Sequence, residues 1–153
     1  MDLSALEPFV VAAKRATYVG DGQAAVPSRT GSHDLTFQQG DWRYRDSYFG
    51  GTDFLGQEVV WQRDTPVWAM SYYGYILRPE LIDAARAGAT IKAALSALYA
   101  EGRFLGGFEW TGPHGTYLDR SSGSVGHFHG RESISVAGTE AYALDYFGGL
   151  IRP

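Results

Sequence analysis

Two matching stretches decide the fold that this sequence predicts: Phe54-Leu55-Gly56-Gln57-Glu58-Val59-Val60 and Phe128-His129-Gly130-Arg131-Glu132-Ser133-Ile134. Laid over each other, they share Phe, Gly and Glu at alternate positions, and the match continues downstream through shared Ala, Tyr and Gly residues. A repeated segment at a fixed spacing is the signature of internal duplication. The sequence therefore predicts a single domain over 1–153, with one half at about 3–78 and the other at about 79–153.

Each half is predicted to contain one helix followed by antiparallel strands. Apolar residues at helical spacing follow the capping-box pattern Ser4-x-x-Glu7 in the first half and precede Gly102, a candidate C′ residue, in the second. Turn residues separate the strands, and the breaker-rich segment 22–34 is interpreted as an insertion in the first half. The predicted fold class is α+β: duplicated helix-plus-strand units about a pseudo-twofold axis, forming a central antiparallel sheet with helices on one face.

The alternation of side chains along these strands places a carboxyl group on an apolar face. Glu132 shares its face with Phe128 and Ile134, and Glu58 shares its face with Phe54. An ionised carboxylate among apolar side chains costs several kcal/mol unless it is paired or hydrogen-bonded. Glu58 and Glu132 are therefore the first candidates for a functional site. The alternative is a structural role, in which each Glu accepts backbone N–H bonds.

Aromatic side chains of neighbouring strands are predicted to surround these carboxyl groups. Tyr72 and Tyr146 are expected to donate hydrogen bonds to a Glu, and nearby glycines are expected to leave room for a groove. Asp46 and Asp119 are weaker candidates, for which a role in an Asx turn is an open alternative. The predicted ligand-binding residues are Glu58, Glu132, Tyr72, Tyr146, Trp68, Tyr142, Phe54, Phe128, Asp46 and Asp119.

Composition restricts the class of protein. The 153 residues carry a net charge of −4, which disfavours a nucleic-acid partner, and contain no Cys, which excludes disulfides and thiolate metal sites. The N-terminus lacks a signal-peptide pattern and no stretch is long enough for a membrane span, so a cytoplasmic protein without a membrane partner is expected. The His residues show no convergent third ligand, so neither a metal nor another cofactor is predicted.

Several sequence blocks resemble a bacterial domain family of unknown function. Its motifs are similar to this chain at 46–60, 66–74, 101–107, 130–132 and 148–151. Members of that family occur alone or behind a helix-turn-helix segment in regulators, and no such segment is recognised in this sequence. The resemblance implies a sensor of a small molecule and names no ligand.

Three functions follow as hypotheses from these observations. The first is binding of a small effector or metabolite in an aromatic, acidic groove between the two halves. The second is a tailoring or detoxifying enzyme, a hydrolase, isomerase or cyclase, in which Glu58 and Glu132 act as general acid and general base. The third is an interaction module, a homodimer joined through exposed Tyr48, Tyr73 and Tyr75.

Overall fold

The computed structural model describes residues 3–20 and 23–152. A π-helical turn, Arg15–Val19, extends the first helix. The helices are α1 (Leu3–Lys14) and α2 (Ala84–Ala100), and the strands are β1 (Gln23–Ala25), β2 (His33–Gln39), β3 (Trp42–Gly50), β4 (Phe54–Gln62), β5 (Thr65–Ile76), β6 (Phe108–Gly112), β7 (Gly115–Ser124), β8 (His127–Val136) and β9 (Thr139–Leu150). None of the helices in these described ranges is both long and apolar enough to span a membrane.

All nine strands belong to one antiparallel sheet, in the order β1-β2-β3-β4-β5-β9-β8-β7-β6. Consecutive strands pair as hairpins, and the two series of hairpins meet where β5 pairs with β9. At the middle of that pairing, Tyr72 lies opposite Tyr146. On either side, Glu58 lies opposite Asp46 and Glu132 lies opposite Asp119. The register therefore positions two carboxyl pairs, one in each series.

Both helices cover the same face of the sheet. The strand residues on this covered face form the core together with apolar helix residues such as Val10 and Leu98. The opposite face stays open, and the side chains of Leu55, Tyr73 and Phe147 are exposed there. The period-two burial in β4 and β5 agrees with the alternation read from the sequence.

The predicted α+β fold class is wrong. Strands hold 52% of the described residues and helices 23%, and the structure shows no clear internal duplication. Five strands precede α2 and four follow it, and the two α-helices have 12 and 17 residues. The shared Phe, Gly and Glu residues lie in β4 and β8. A motif this short constrains only the strands that contain it, so it did not establish that the two halves of the chain fold alike.

Three local predictions also need correction. Segment 22–34 is more than an insertion, because β1 lies within it and β2 begins in it. Helix α1 already includes Leu3, so Ser4 lies inside the first turn and not ahead of it. Helix α2 begins before the predicted apolar pattern, where the Asp83 carboxylate accepts a hydrogen bond from the Arg86 backbone N–H. Gly102, with φ of 77°, follows the helix as predicted.

Candidate functional site

A buried ion pair lies between α1 and the covered face of the sheet. The Lys14 ammonium contacts both carboxylate oxygens of Glu58, at 2.8 Å and 2.7 Å. Both side chains are at most 4% exposed. The ammonium also lies 5.3 Å from the centre of the Phe104 ring. Glu58, the buried carboxylate that the sequence indicated, is therefore neutralised by Lys14 of α1. The alternation of side chains along the strands did not predict this partner, because it lies on a helix.

Asp46, next to Glu58 across β3 and β4, is bound by a tyrosine. The Tyr72 hydroxyl donates to its Oδ1 at 2.6 Å, and both side chains are buried. Burial, followed by the charge of Glu58, raises the pKa of Asp46 to about 7, although the hydrogen bond from Tyr72 opposes that rise. Asp46 can therefore gain or lose a proton near neutral pH.

The second carboxyl pair repeats this chemistry on the other side of the β5–β9 pairing. The Tyr146 hydroxyl donates to Asp119 Oδ1 at 2.7 Å, and burial raises the pKa of Asp119 to about 6. Burial, followed by the charge of Asp119, raises the pKa of Glu132 to about 8. Tyr72 and Tyr146 thus bind aspartates, and the prediction that they bind Glu58 and Glu132 is wrong. Each Asp lies within a strand and not in an Asx turn.

A cavity of about 360 Å³, the outer cavity, opens between the sheet, the π-helical turn and the first half of α2. Its sheet wall comes from β2, β3, β4, β5 and β9, and its charged lining residues are Asp46 and Lys92. The residues that line it are Thr17, Tyr18, Leu35, Asp46, Tyr48, Gly50, Gly51, Thr52, Phe54, Tyr72, Ile76, Ala84, Ala87, Gly88, Ile91, Lys92 and Tyr142.

The helical wall of the outer cavity was missed by sequence reasoning. The π-helical turn brings Thr17 and Tyr18 to the cavity, and the Thr17 hydroxyl donates to the Ala13 carbonyl oxygen at 2.8 Å. Single π turns are often found at functional sites. Ile91 is buried, and Lys92 follows it on α2. The apolar period identified these segments as helical, but it carried no information about the cavity.

A second, smaller cavity of about 40 Å³, the inner cavity, adjoins the outer one. Both cavities are lined by Tyr18, Phe54, Tyr72, Ile91 and Tyr142. Glu58 and Glu132 line only the inner cavity, together with Lys14. The structure therefore brings both predicted glutamates to one small space, beyond the larger cavity.

The other predicted site residues are distributed unevenly. Asp46, Phe54, Tyr72 and Tyr142 line the outer cavity. Trp68 and Phe128 line neither cavity, because their rings stack at 5.8 Å and both contact Phe104 edge-on. Asp119 and Tyr146, bonded to each other, also lie outside both.

The strand glycines do not leave a free groove, so this prediction is wrong. A Cβ on Gly56 would lie 2.4 Å from the Tyr72 hydroxyl, and one on Gly130 would lie 2.2 Å from the ring of Tyr146. The absent side chains make room for buried tyrosines and not for a ligand.

The predicted dimer patch is not a single surface. Tyr73 and Tyr75 stack on the open face, with ring centres 5.1 Å apart. Tyr48 is half-buried on the covered face and lines the outer cavity.

The site offers proton donors, proton acceptors and a mainly apolar enclosure. Within residues 3–20 and 23–152, no three His, Asp or Glu side chains converge as a metal site would require. The chemistry available to the site is hydrogen bonding, ion pairing and proton transfer through carboxyl and phenol groups.

The sequence profile of a family described as a domain of unknown function, DUF5680, matches residues 46–151. A comparison with curated proteins found no match, and a comparison with solved structures also found none.

Proposed function

The chain belongs to the DUF5680 family of domains of unknown function, and because that description assigns no activity, we propose a function from the site: binding of a small aromatic or apolar molecule in the outer cavity. The observation that carries this proposal is a partly open cavity with a buried carboxyl group in its wall. Its volume of about 360 Å³ falls in the range of about 300–1,000 Å³ that is typical of small-molecule sites.

The lining indicates what kind of ligand fits. Phe54, Ile76 and Ile91 offer apolar surface, and Tyr18 and Tyr142 offer ring faces and edges. Asp46 is the carboxyl group in this wall, and its Oδ1 accepts the Tyr72 hydroxyl. A ligand with a flat apolar body and one hydrogen-bond donor directed to Asp46 suits this arrangement.

The test fills the outer cavity without disturbing the core. A Cβ on Gly88 would meet no atom within 4 Å, so Gly88→Leu directs a side chain into open space. Ala89→Leu, at the next and exposed helix position outside the cavity, is the matched control. The probes are indole, 2-phenylethanol and 2-phenylethylamine, with binding measured by calorimetry. We expect Gly88→Leu to weaken binding at least tenfold and Ala89→Leu to leave it unchanged; equal binding by all three proteins would contradict the proposal.

A second candidate function is catalysis of proton transfer. The observation in its favour is the pKa of Asp46, about 7, which suits a general acid or base at neutral pH. Glu58, one of the two glutamates first considered for acid–base catalysis, is already ion-paired to Lys14. Mass spectrometry of a bound compound after incubation with the protein distinguishes the two functions, because a binding protein returns the compound unchanged.

The wider expectations remain predictions of the same proposal. A small-molecule site suits an effector-binding role in family members joined to a helix-turn-helix segment. It also suits a cytoplasmic protein, either monomeric or homodimeric, that binds no nucleic acid and no membrane.

A further inference from the structure

One residue that lines both cavities, Tyr142, has a buried hydroxyl without a hydrogen-bond partner in the described chain. Tyr142 is 1% exposed, and its hydroxyl has no partner among the residues described. This hydroxyl lies 2.9 Å from the position of a Cβ on Gly74, so a larger residue there would displace it. A buried polar group without a partner destabilises the folded chain, so a bound group that pairs with this hydroxyl would recover that energy.

Glu132, which lines the inner cavity, is a carboxyl group without a counter-charge among the described residues. Lys14 is the cation that lines this cavity, and both of its close carboxylate contacts are to Glu58. Within the described ranges, Glu132 forms no ion pair with Lys, Arg or His. The inner cavity thus contains one neutralised carboxylate and one carboxyl group for which the described residues supply no cation.

The size of the inner cavity limits what can enter. A buried water needs about 10–15 Å³ of such space, so about 40 Å³ holds an ammonium group and no ring. The five side chains that line both cavities place this space directly beside the outer cavity.

From this geometry we infer that the ligand is a protonated arylalkylamine, with its ring in the outer cavity and its ammonium group in the inner cavity. The ammonium donates to the Glu132 carboxylate and to the oxygen of the Tyr142 hydroxyl. This inference rests on the proposed function, because the ring must occupy the outer cavity. It adds the charge of the ligand and the two side chains that select it.

Binding of such a cation is coupled to a proton. With its pKa near 8, Glu132 is mostly protonated at pH 7 in the empty protein. When the ammonium enters, the Glu132 carboxyl loses its proton to the buffer and the ion pair forms. About one proton is therefore released for each amine bound.

The experiment compares amines with alcohols of the same shape. The probes are 2-phenylethylamine and 4-phenylbutylamine with their alcohol counterparts, titrated by calorimetry at pH 7 in buffers of different ionisation enthalpy. We expect at least one amine to bind about tenfold more tightly than its alcohol, as charge-assisted hydrogen bonds imply, with release of a proton. Glu132→Gln should abolish both effects, and Tyr142→Phe should reduce the preference.

Matched variants separate this outcome from a general effect on folding. Glu109→Gln changes an exposed carboxyl group and Tyr73→Phe an exposed phenol, and both should behave as wild type. If the amine preference or the proton release survives in Glu132→Gln, the inference is overturned, and the inner cavity holds water only.

The same titrations distinguish this inference from the proposed function. Alcohols that bind wild type but not Gly88→Leu support the outer cavity whether or not an amine is preferred. Equal affinity for amine and alcohol overturns the inference alone. Absence of binding by all four probes overturns both.

Discussion

Lys14 balances a buried carboxylate, and its charge is expected to matter greatly for stability. Removing one partner of a buried ion pair costs about 3–5 kcal/mol, because the other charge stays buried without compensation. Lys14→Met should therefore lower the free energy of unfolding by about that amount, measured by urea denaturation. The double variant Lys14→Met, Glu58→Met removes both charges and should recover most of the loss.

An exposed ion pair provides the control for this substitution. Arg63 and Asp41 lie 3.0 Å apart, with side chains 80% and 62% exposed. Arg63→Gln should change the free energy of unfolding by less than about 1 kcal/mol. A loss of only that size for Lys14→Met would show that Glu58 is not desolvated as the structure has it.

At the scale of the strand, Gly56 is required by the packing of two tyrosines. A Cβ there would lie 2.4 Å from the Tyr72 hydroxyl and 2.6 Å from the Tyr48 Cβ. Gly56→Ala should therefore displace Tyr72 from Asp46 and destabilise the fold by about 1–3 kcal/mol, as overpacking does. The measurement is the shift in the urea midpoint.

Gly88 in α2 is the matched glycine with the opposite expectation. No atom lies within 4 Å of its added Cβ, so Gly88→Ala should stabilise the helix by about 0.5–1 kcal/mol. A stabilising Gly56→Ala would contradict the close approach of Tyr72 to β4.

Which strand residues lie on the covered face could be predicted from the sequence, because side-chain direction alternates locally along a strand. Glu58 and Tyr72 are buried on that face as the alternation predicted. The partner of each carboxyl group could not be predicted in this way. Lys14 is 44 positions from Glu58, and only the path of α1 across the sheet brings them together.

The site was predictable to the extent that it follows from strand register. Pairing of β4 with β5 and of β3 with β4 sets Asp46, Glu58 and Tyr72 on one face. The volume of the outer cavity depends instead on where the π-helical turn and α2 cross the sheet. It also depends on the tyrosine side chains that occupy the space above the strand glycines. A groove between two halves was therefore expected, whereas the outer cavity lies beside β3 and β4, to one side of the β5–β9 pairing.

For the whole molecule, several raised carboxyl pKa values determine how stability varies with pH. Asp46, Asp119 and Glu132 have pKa values of about 7, 6 and 8 in the folded chain, against ordinary values near 4. The folded state holds protons that the unfolded state releases, so the free energy of unfolding should fall as pH rises from about 4 to about 8.

Asp34 acts in the opposite direction at lower pH. Hydrogen bonds from Ser32, Ser28 and Ser47 outweigh burial and lower its pKa to about 2. Its stabilising contribution is complete above about pH 4 and is lost as pH falls toward 2. Thermal unfolding between pH 3 and 9 should therefore show greatest stability near pH 4–5. Glu132→Gln should flatten the decline above pH 6, and a melting temperature that rises from pH 5 to 8 would contradict the burial of these groups.

The location of a bound aromatic molecule tests the central claim most directly. Intermolecular nuclear Overhauser effects between indole and selectively labelled methyl groups report which residues contact the ring. The account predicts contacts to the methyl groups of Ile91, Ile76 and Leu35, which line the outer cavity. Contacts to Leu55 on the open face, with none to Ile91, would place the ligand elsewhere and contradict the account.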